Sequence, residues 1–247
     1  MFLGESRTPP GMRLYAIGDI HGCDTMLAEM HDRIAADLAE QPAEDHRIIH
    51  VGDYIDRGPD CAGVIGRLAR LTAEDGRVVC LVGNHDSFLI GFLQDPKSFG
   101  EIWLSNGAEP TLESYGVKVP HALFGGVTNF AALAERFAEA LPAVDRKFME
   151  TLPFSARFGD YLFVHAGIRP GVPPEAQDPH DLIWIRKPFL EDKSDHGVVV
   201  IHGHTPVDVP DVRLNRVDID TGAVYGGPLT CLVLDGTDYR FLRVQQP

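Results

Sequence analysis

The chain has 247 residues, enough for a substantial buried core, and this length favours a single large domain. Its 22 Lys and Arg residues against 36 Asp and Glu residues give a formal net charge of −14, which argues against nucleic acid and membrane surfaces as partners. No apolar run reaches the roughly 18 residues of a membrane span, and no signal peptide is recognisable, so a soluble, cytoplasmic protein is expected.

The predicted elements begin after a polar, Pro-rich leader, residues 1–12, which is expected to be loose. An apolar strand at residues 13–17 ends at the motif GDIHG, residues 18–22. Residues 25–38 then carry apolar side chains at helical spacing. The first unit is therefore a strand, a polar motif and a helix.

The second unit contains the central motif of the chain. An apolar strand at residues 47–51 ends at GDYIDRG, residues 52–58, and a helix is expected over residues 60–71. The motif places two carboxylates, an arginine and two glycines within a few residues. In open α/β sheets such groups lie at the carboxyl ends of strands, where ligands bind.

A third unit follows the same plan. A strand at residues 78–82 ends at GNHD, residues 83–86, and Asp86 is expected to cap a helix over residues 87–93. Three successive strand–helix units predict a largely parallel sheet with its loops gathered at one edge.

Residues 96–153 are predicted to form a helical insertion that covers the site or frames a substrate groove. Helices are expected at residues 130–141 and 144–152, and the segment contains no cluster of metal-binding residues. Trp103 and Tyr115 are interpreted as packing residues.

The rest of the chain is predicted to be rich in strands, at residues 158–166, 198–202, 216–219, 229–235 and 239–244. Gly236 and Thr237 predict a hairpin between the last two. The motifs HAG, residues 165–167, and HGHTP, residues 202–206, fall at strand ends. Between them, residues 169–197 form a long excursion, which indicates a functional loop or a short helical crossover.

The five strand-end motifs share oxygen and imidazole donors. The candidate metal ligands are Asp19, His21, Asp53, Asn84, His165 and His204. This mixture suits Mn²⁺ or Fe, with Zn²⁺ possible, and the four cysteines show no zinc-type spacing. Six donors exceed the needs of one ion with open positions, so two divalent metal ions ~3.5–4 Å apart are expected. Asp53 is the expected bridge, with Asp19 and His21 on one side and the remaining three donors on the other.

The motifs GDIHG, GDYIDRG and GNHD, completed by HAG and GHT, resemble the signature of the phosphoprotein phosphatase family of metallophosphoesterases, over about residues 13–227. The bacterial serine/threonine phosphatase branch is the most similar, and its near relatives include diadenosine tetraphosphate hydrolases. The resemblance implies one calcineurin-like domain over residues 13–247. Its expected fold is α/β, an α-β-β-α sandwich of two mixed sheets with a helical insertion.

The resemblance also implies roles for residues that the motifs alone do not explain. His85 resembles the general acid of the family, and Asp56 resembles the carboxylate that orients it. Phosphoryl oxygens are expected to be bound by Arg57, Asn84 and Arg186. Tyr225 lies in YGG, residues 225–227, which resembles a loop that overhangs the site.

Three positions depart from the family pattern or leave it ambiguous. Asp86 stands where protein phosphatases more often have glutamate. Pro206 stands where broader metallophosphoesterases have another metal histidine, which favours the phosphatase branch. His202 lies on the same side of its strand as His204. It is expected to contact the metal-binding residues without binding a metal ion itself.

The expected reaction is hydrolysis of phosphomonoesters by direct attack of a metal-bridging hydroxide, with His85 as the acid. The expected substrate is a phosphoprotein, dephosphorylated at serine or threonine, or a small phosphoester. The alternatives are a symmetrical dinucleoside tetraphosphate hydrolase or another small-molecule phosphoesterase and, more remotely, a non-catalytic metal-binding regulatory protein. Asp56 weighs mildly against the first alternative, because one bacterial group of those hydrolases lacks this carboxylate.

Overall fold

A computed structural model describes residues 2–119 and 129–246, so part of the predicted insertion, residues 120–128, lies outside the described residues. The α-helices are α1 Asp24–Glu40, α2 Cys61–Glu74, α3 Asn84–Gln94, α4 Pro96–Ser105, α5 Glu109–Ser114, α6 Phe130–Ala140, α7 Ala143–Glu150, α8 Pro179–Trp184 and α9 Lys187–Leu190. The strands are β1 Met12–Ile17, β2 Asp45–His50, β3 Val78–Cys80, β4 Ser155–Phe158, β5 Tyr161–Val164, β6 Val199–His202, β7 Asp211–Val212, β8 Arg216–Asp218, β9 Leu229–Asp235 and β10 Asp238–Val244.

The strands form two five-stranded mixed sheets, as the α/β sandwich prediction requires. The first has the order β10-β9-β1-β2-β3, and its β1, β2 and β3 are parallel. Its other two strands are antiparallel and joined by the hairpin predicted at Gly236 and Thr237. The second sheet has the order β4-β5-β6-β8-β7, with β5, β6 and β8 parallel. The parallel strands point their carboxyl ends at one edge, where the motifs lie.

Alternation along β1 shows how the layers pack. Leu14 and Ala16 face an apolar cluster that also contains Val217 of β8, so this cluster lies between the two sheets. Tyr15 and Ile17 face the opposite side and pack with residues of α1 and α2. The outer face of the second sheet is covered by α8 and α9. Helices therefore cover both outer faces, which is the predicted α-β-β-α sandwich.

The leader, which is expected from its sequence to be loose, makes long-range hydrogen bonds within the described residues from 2 onward. The backbone N–H of Leu3 donates to Leu214 O at 2.6 Å, and that of Thr8 donates to Gly236 O at 3.1 Å. The hydroxyl of Tyr161 donates to Ser6 O at 3.2 Å. The leader thus bridges the two sheets, and these long-range partners are not visible in its polar, Pro-rich sequence.

The excursion between β5 and β6 is a helical crossover, one of the two predicted forms. It contains α8 and α9, and the two strands that it joins are parallel, which requires such a connection. None of the helices in the described part of the chain has the length and the apolar character of a membrane span.

A histidine pair beside the first sheet, with His50 fully buried and His31 partly buried, predicts an acid-sensitive fold. The Nε2 atoms of His31 and His50 are 3.0 Å apart, and the Nδ1 atom of His31 has no partner among the described residues. Burial lowers the pKa of His31 to about 4 and that of His50 well below its ordinary value, so both are neutral in the folded protein. Unfolded histidines titrate near pH ~6.5. Between about pH 6.5 and 4 the unfolded state binds more protons, so the free energy of unfolding falls as the pH falls.

Urea unfolding at about pH 7.5 and about pH 5.5 measures this effect. His31→Gln is expected to reduce the loss of stability between the two pH values by about 1 kcal/mol, after allowance for the partial exposure of His31. Equal losses in the wild type and the variant would contradict the assignment.

Candidate metal centre

The segments that follow β1, β2, β3, β5 and β6 bring buried imidazoles and carboxylates together. Two groups of side chains each place one possible ligand atom per residue within 4.8 Å of the others. The first group contains His21, Asp53 and His85, and the second contains Asp53, His165 and His204. All five residues are buried, and Asp53 belongs to both groups.

The two oxygens of Asp53 face different groups. Its Oδ2 lies 3.4 Å from His21 Nε2, and its Oδ1 lies 3.4 Å from His165 Nε2. A carboxylate in this position can hold one ion on each side. This geometry supports the bridging role expected of Asp53 from the sequence.

Backbone carbonyls set the orientation of two of these imidazoles. The Nδ1 atom of His21 lies 2.6 Å from Ile55 O, and that of His165 lies 3.1 Å from Val51 O. We assign the ring proton to Nδ1 in both, which leaves the Nε2 lone pairs facing Asp53. His165 Nε2 is also 2.9 Å from Asn84 Oδ1, so acceptor atoms face one another. A cation between them satisfies all of these lone pairs, and the donor set fits divalent metal ions.

Asp19 is buried beside these groups but belongs to neither of them. Both of its carboxylate oxygens accept the backbone N–H of His204 at 3.2 Å. Gly203 permits this approach, since a Cβ atom there would lie 2.0 Å from Asp19 Oδ1. Asp19 is therefore close to the centre, and its role as a ligand stays a prediction.

The protonation states suit metal binding. Burial lowers the pKa of His21 to about 3 and that of His204 to about 2, so both imidazoles are neutral at pH 7. Burial alone would raise the pKa of Asp53, but the surrounding imidazoles, above all His165, hold it below its ordinary value. Neutral imidazoles around an ionised carboxylate are the forms that bind metal ions.

His85 has a different environment from the other histidines of the site. Its Nδ1 is 2.6 Å from Asp56 Oδ2, and its Nε2 is 2.7 Å from Arg57 Nη2. Burial lowers the pKa of His85, but Asp53 and Asp56 together raise it above its ordinary value. His85 thus has the partner expected of a general acid, although its distances to His21 and Asp53 would also allow a ligand.

Both predicted phosphate-binding arginines reach the centre. Arg57 places Nη1 2.7 Å from His21 Nε2, and the Nε–H of Arg186 donates to His204 Nε2 at 3.0 Å. The Arg57 guanidinium lies over the ring of Tyr225, 5.6 Å from its centroid, and Tyr225 is 62% exposed. Two cationic forks and an exposed aromatic ring therefore border the buried donors.

The backbone is strained at the site itself. Among the described residues, positive φ angles at non-glycine positions occur at His21, Asp53, Asp56, Arg57 and His204. Each costs on the order of 1–3 kcal/mol and persists only where surrounding contacts impose it. The backbone N–H groups of Ile20 and His21, for example, both donate to Asp53 O, at 3.1 and 2.8 Å. Such strain directs the side chains into the centre.

Asp86 has a role that the sequence prediction placed wrongly. The helix begins at Asn84 rather than at Ser87, so Asp86 lies in its first turn and is not the cap. Its carboxylate accepts the backbone N–H groups of Gly83 at 2.8 Å, Asp53 at 2.8 Å and Tyr54 at 3.0 Å. Asp86 thus attaches the loop that contains Asp53 to the first turn of α3. The only sequence signal was an acid directly after GNH.

Two further aspartates at the end of β8 escaped the sequence analysis. Asp218 and Asp220 are buried, and Asp220 interacts with Asp19. Burial raises the pKa of Asp220 to about 6 and raises that of Asp218. His202 is fully buried, and its Nδ1 atom lies 3.7 Å from Asp218 Oδ2. It belongs to neither metal group. The sequence signal was the pair of aspartates at the end of the predicted strand 216–219.

Trp103 and Thr111 of the insertion also reach the site, although the sequence offered packing alone for Trp103. The Trp103 indole N–H lies 3.0 Å from both oxygens of Asp56, and the Thr111 hydroxyl donates to Asp56 Oδ1 at 2.7 Å. The insertion therefore contacts the partner of His85 directly.

Two buried groups of metal-binding side chains that share one carboxylate, at the loop edge of a two-sheet α/β sandwich, define the class of binuclear metallohydrolases. The sequence pattern of the calcineurin-like phosphoesterases matches residues 12–234, and the chain belongs to this family, which uses a dinuclear metal site.

Individual relatives are similar over nearly their whole length. The chain is 28% identical over 225 residues to serine/threonine-protein phosphatase 1 of Salmonella typhimurium, covering 88% of this chain and 89% of that protein. It is 26% identical over 263 aligned positions to the asymmetrical bis(5'-nucleosyl)-tetraphosphatase PrpE of Oceanobacillus iheyensis, covering 96% and 94%. The crystal structure of a putative diadenosine tetraphosphatase superposes with a TM-score of 0.65 at 19% identity, covering 98% and 100%, and shows the shared fold.

Proposed function

We propose that this phosphoester hydrolase is a serine/threonine protein phosphatase that acts with two divalent metal ions. Mn²⁺ is the favoured ion, with Fe or Zn²⁺ as alternatives, because imidazole nitrogens are mixed with carboxylate and amide oxygens. The observation that carries the proposal is the 2.6 Å contact between His85 Nδ1 and Asp56 Oδ2 beside the shared Asp53. A serine or threonine alkoxide is a poor leaving group and needs a proton, whereas a nucleotide phosphate leaves readily without one.

Each ion would have its own set of side chains. His21 and Asp53, with Asp19, would hold one, and the other would be held by Asp53 together with Asn84, His165 and His204. When bound, such ions lower the pKa of water and neutralise charge on the phosphoryl group. The protein residues keep the imidazoles neutral and oriented through the carbonyls of Ile55 and Val51.

The remaining residues bind the substrate and move the proton. Arg57 and Arg186 would transfer their N–H donors from His21, His85 and His204 to the phosphoryl oxygens as charge-assisted bonds. Departure of Arg57 frees Nε2 of His85. That nitrogen would then carry the proton given to the leaving oxygen, while Asp56 accepts the Nδ1–H and stabilises the imidazolium.

The second candidate is dinucleoside tetraphosphate hydrolysis. Relatives of similar identity and coverage are named for the asymmetrical reaction. The candidate is accordingly an asymmetrical hydrolase rather than the symmetrical one expected from the sequence. Arginines at both metal groups would suit a polyphosphate as well as a phosphoserine.

Parallel assays of Mn²⁺-loaded protein separate these functions. The rate constant kcat/KM is expected to be at least about tenfold higher for a phosphoserine peptide than for diadenosine tetraphosphate, or ~1.4 kcal/mol of transition-state free energy. Protein stripped by a chelator is the control and should be inactive on both. A preference for diadenosine tetraphosphate with ATP and AMP as products would contradict the proposal.

A further inference from the structure

Among the described residues of the insertion between α3 and β4, two side chains contact a single residue of the central motif, Asp56. Asp56 is fully buried, and its carboxylate accepts hydrogen bonds from three side chains. The Trp103 indole N–H reaches both oxygens at 3.0 Å, the Thr111 hydroxyl reaches Oδ1 at 2.7 Å, and the His85 imidazole reaches Oδ2 at 2.6 Å. Two of these three donors therefore come from the insertion.

The insertion also holds the backbone on which Asp56 stands. The N–H of Asp56 donates to the Thr111 hydroxyl oxygen at 2.9 Å, and the N–H of Arg57 donates to Gly107 O at 2.9 Å. Asp56 and Arg57 have φ angles of 71° and 69°, in the left-handed region that side chains other than glycine disfavour. Contacts from α4, α5 and the turn between them thus impose this conformation on the loop.

We propose that Thr111 and Trp103 are positioning residues for proton transfer, which fix Asp56 so that its Oδ2 holds His85 in the orientation of a general acid. This inference rests on the proposed role of His85 in phosphoester hydrolysis. Thr111 binds Oδ1 of the carboxylate and Trp103 binds both oxygens, so these contacts oppose its rotation. In this orientation Oδ2 lies 2.6 Å from His85 Nδ1. The insertion is then part of the catalytic apparatus and not only a cover.

The same donors also counteract the effect of burial on the charge of Asp56. Burial raises the pKa of Asp56, and the hydrogen bonds from His85, Thr111 and Trp103 act against that rise. Hydrogen bonds to a charged acceptor in a buried site are strong, and their loss leaves the charge uncompensated. Loss of one donor should therefore weaken the hydrogen bond between Asp56 and His85 while the site stays folded.

A purely structural role is the competing explanation, because both residues also lie in the core. Trp103 is fully buried, and its ring packs on Phe92 and Phe137 with centroid distances of 5.1 and 5.8 Å. Trp103→Phe and Thr111→Val keep most of this packing while removing the donors. A structural role would lower stability and all activities together, whereas a positioning role would act through the leaving group.

The kinetic test compares a phosphoserine peptide with a nitrophenyl phosphate. Thr111→Val and Trp103→Phe are each expected to lower kcat for the peptide about tenfold, part of the 10²–10⁴-fold typical of general-acid help, and to lower it far less for the nitrophenyl ester. KM and metal content should not change. Thr111→Ser restores the hydroxyl and is expected to restore the peptide rate.

Two controls isolate the path through Asp56. Tyr115→Phe removes another hydroxyl of the same insertion, which donates to Asp145 Oδ2 at 3.0 Å and does not touch Asp56. It should lower the melting temperature and leave the ratio of the two rates unchanged. In an Asp56→Asn background, Thr111→Val should change the ratio no further, as expected of residues that act as a unit.

A readout without turnover keeps this inference separate from the proposed function. The short bond of His85 to Asp56 should give a downfield proton resonance in the NMR spectrum, identified by its loss in His85→Asn. Thr111→Val and Trp103→Phe should shift this resonance, while Thr111→Ser and Tyr115→Phe retain it. An unshifted resonance, or equal rate losses on both esters, would overturn the inference. A wild type that prefers diadenosine tetraphosphate would overturn only the protein phosphatase assignment.

Discussion

Asp53→Asn is expected to remove metal from both groups and to lower kcat by at least about 10³-fold, a loss of ~4 kcal/mol in transition-state stabilisation. The two oxygens of Asp53 face His21 and His165 at 3.4 Å, so one side chain serves both groups. The substitution keeps the size of the side chain but replaces one oxygen by an NH₂ donor. That donor would occupy the position of a cation on one side, and the loss of charge would weaken the other side.

The measurement is metal content per chain by mass spectrometry, made on the same samples as the rate. Asp19→Asn is the matched control, because it changes a buried carboxylate that is proposed to serve one ion only, whereas Asp53 would serve both. It is expected to lose less metal and less activity than Asp53→Asn. Two bound ions and near-normal turnover in Asp53→Asn would show that Asp53 is not the bridge.

His85→Asn is expected to cut hydrolysis of a phosphoserine peptide by ~10²–10⁴-fold and that of a nitrophenyl phosphate much less. The physical reason is the leaving group, because nitrophenolate departs without a proton and a serine alkoxide does not. Both ions should remain bound, because His85 belongs to neither of the two proposed ligand sets and its Nε2 atom lies 2.7 Å from Arg57 Nη2. Asp56→Asn should give the same pattern more weakly, because it disturbs the orientation and charge of the imidazole without removing it.

The result distinguishes the two roles that distance alone allows for His85. Its proximity to His21 and Asp53 would also suit a metal ligand. Equal losses on both esters together with loss of metal would make it a ligand. The pattern of Asp53→Asn, in which metal and both activities fall together, provides the reference for that outcome.

Local patterns were sufficient for much of the fold. Apolar runs ending in Gly-Asp or Gly-Asn predicted β1, β2 and β3 and the motifs that follow them, and helical spacing predicted α1 and α2. Parallel strands place their carboxyl ends at one edge, so the sequence also predicted that the donors of these motifs would approach one another. Asp53, in the central motif, was thereby identifiable as a shared carboxylate before any distance was known.

The tertiary structure alone decided which distant residues complete the site. Trp103 and Thr111 lie 47 and 55 positions from Asp56, and no periodicity in the insertion indicates that their donors face it. The placement of β9 beside β1, and the leader that bridges the two sheets, likewise depend on long-range pairing. Sequence patterns report propensities over a few neighbouring residues, which are fixed by φ and ψ preferences and by side-chain spacing. A contact between distant segments depends on how loops close and how layers pack. In this protein that packing places two donors of the helical insertion against the buried carboxylate of Asp56.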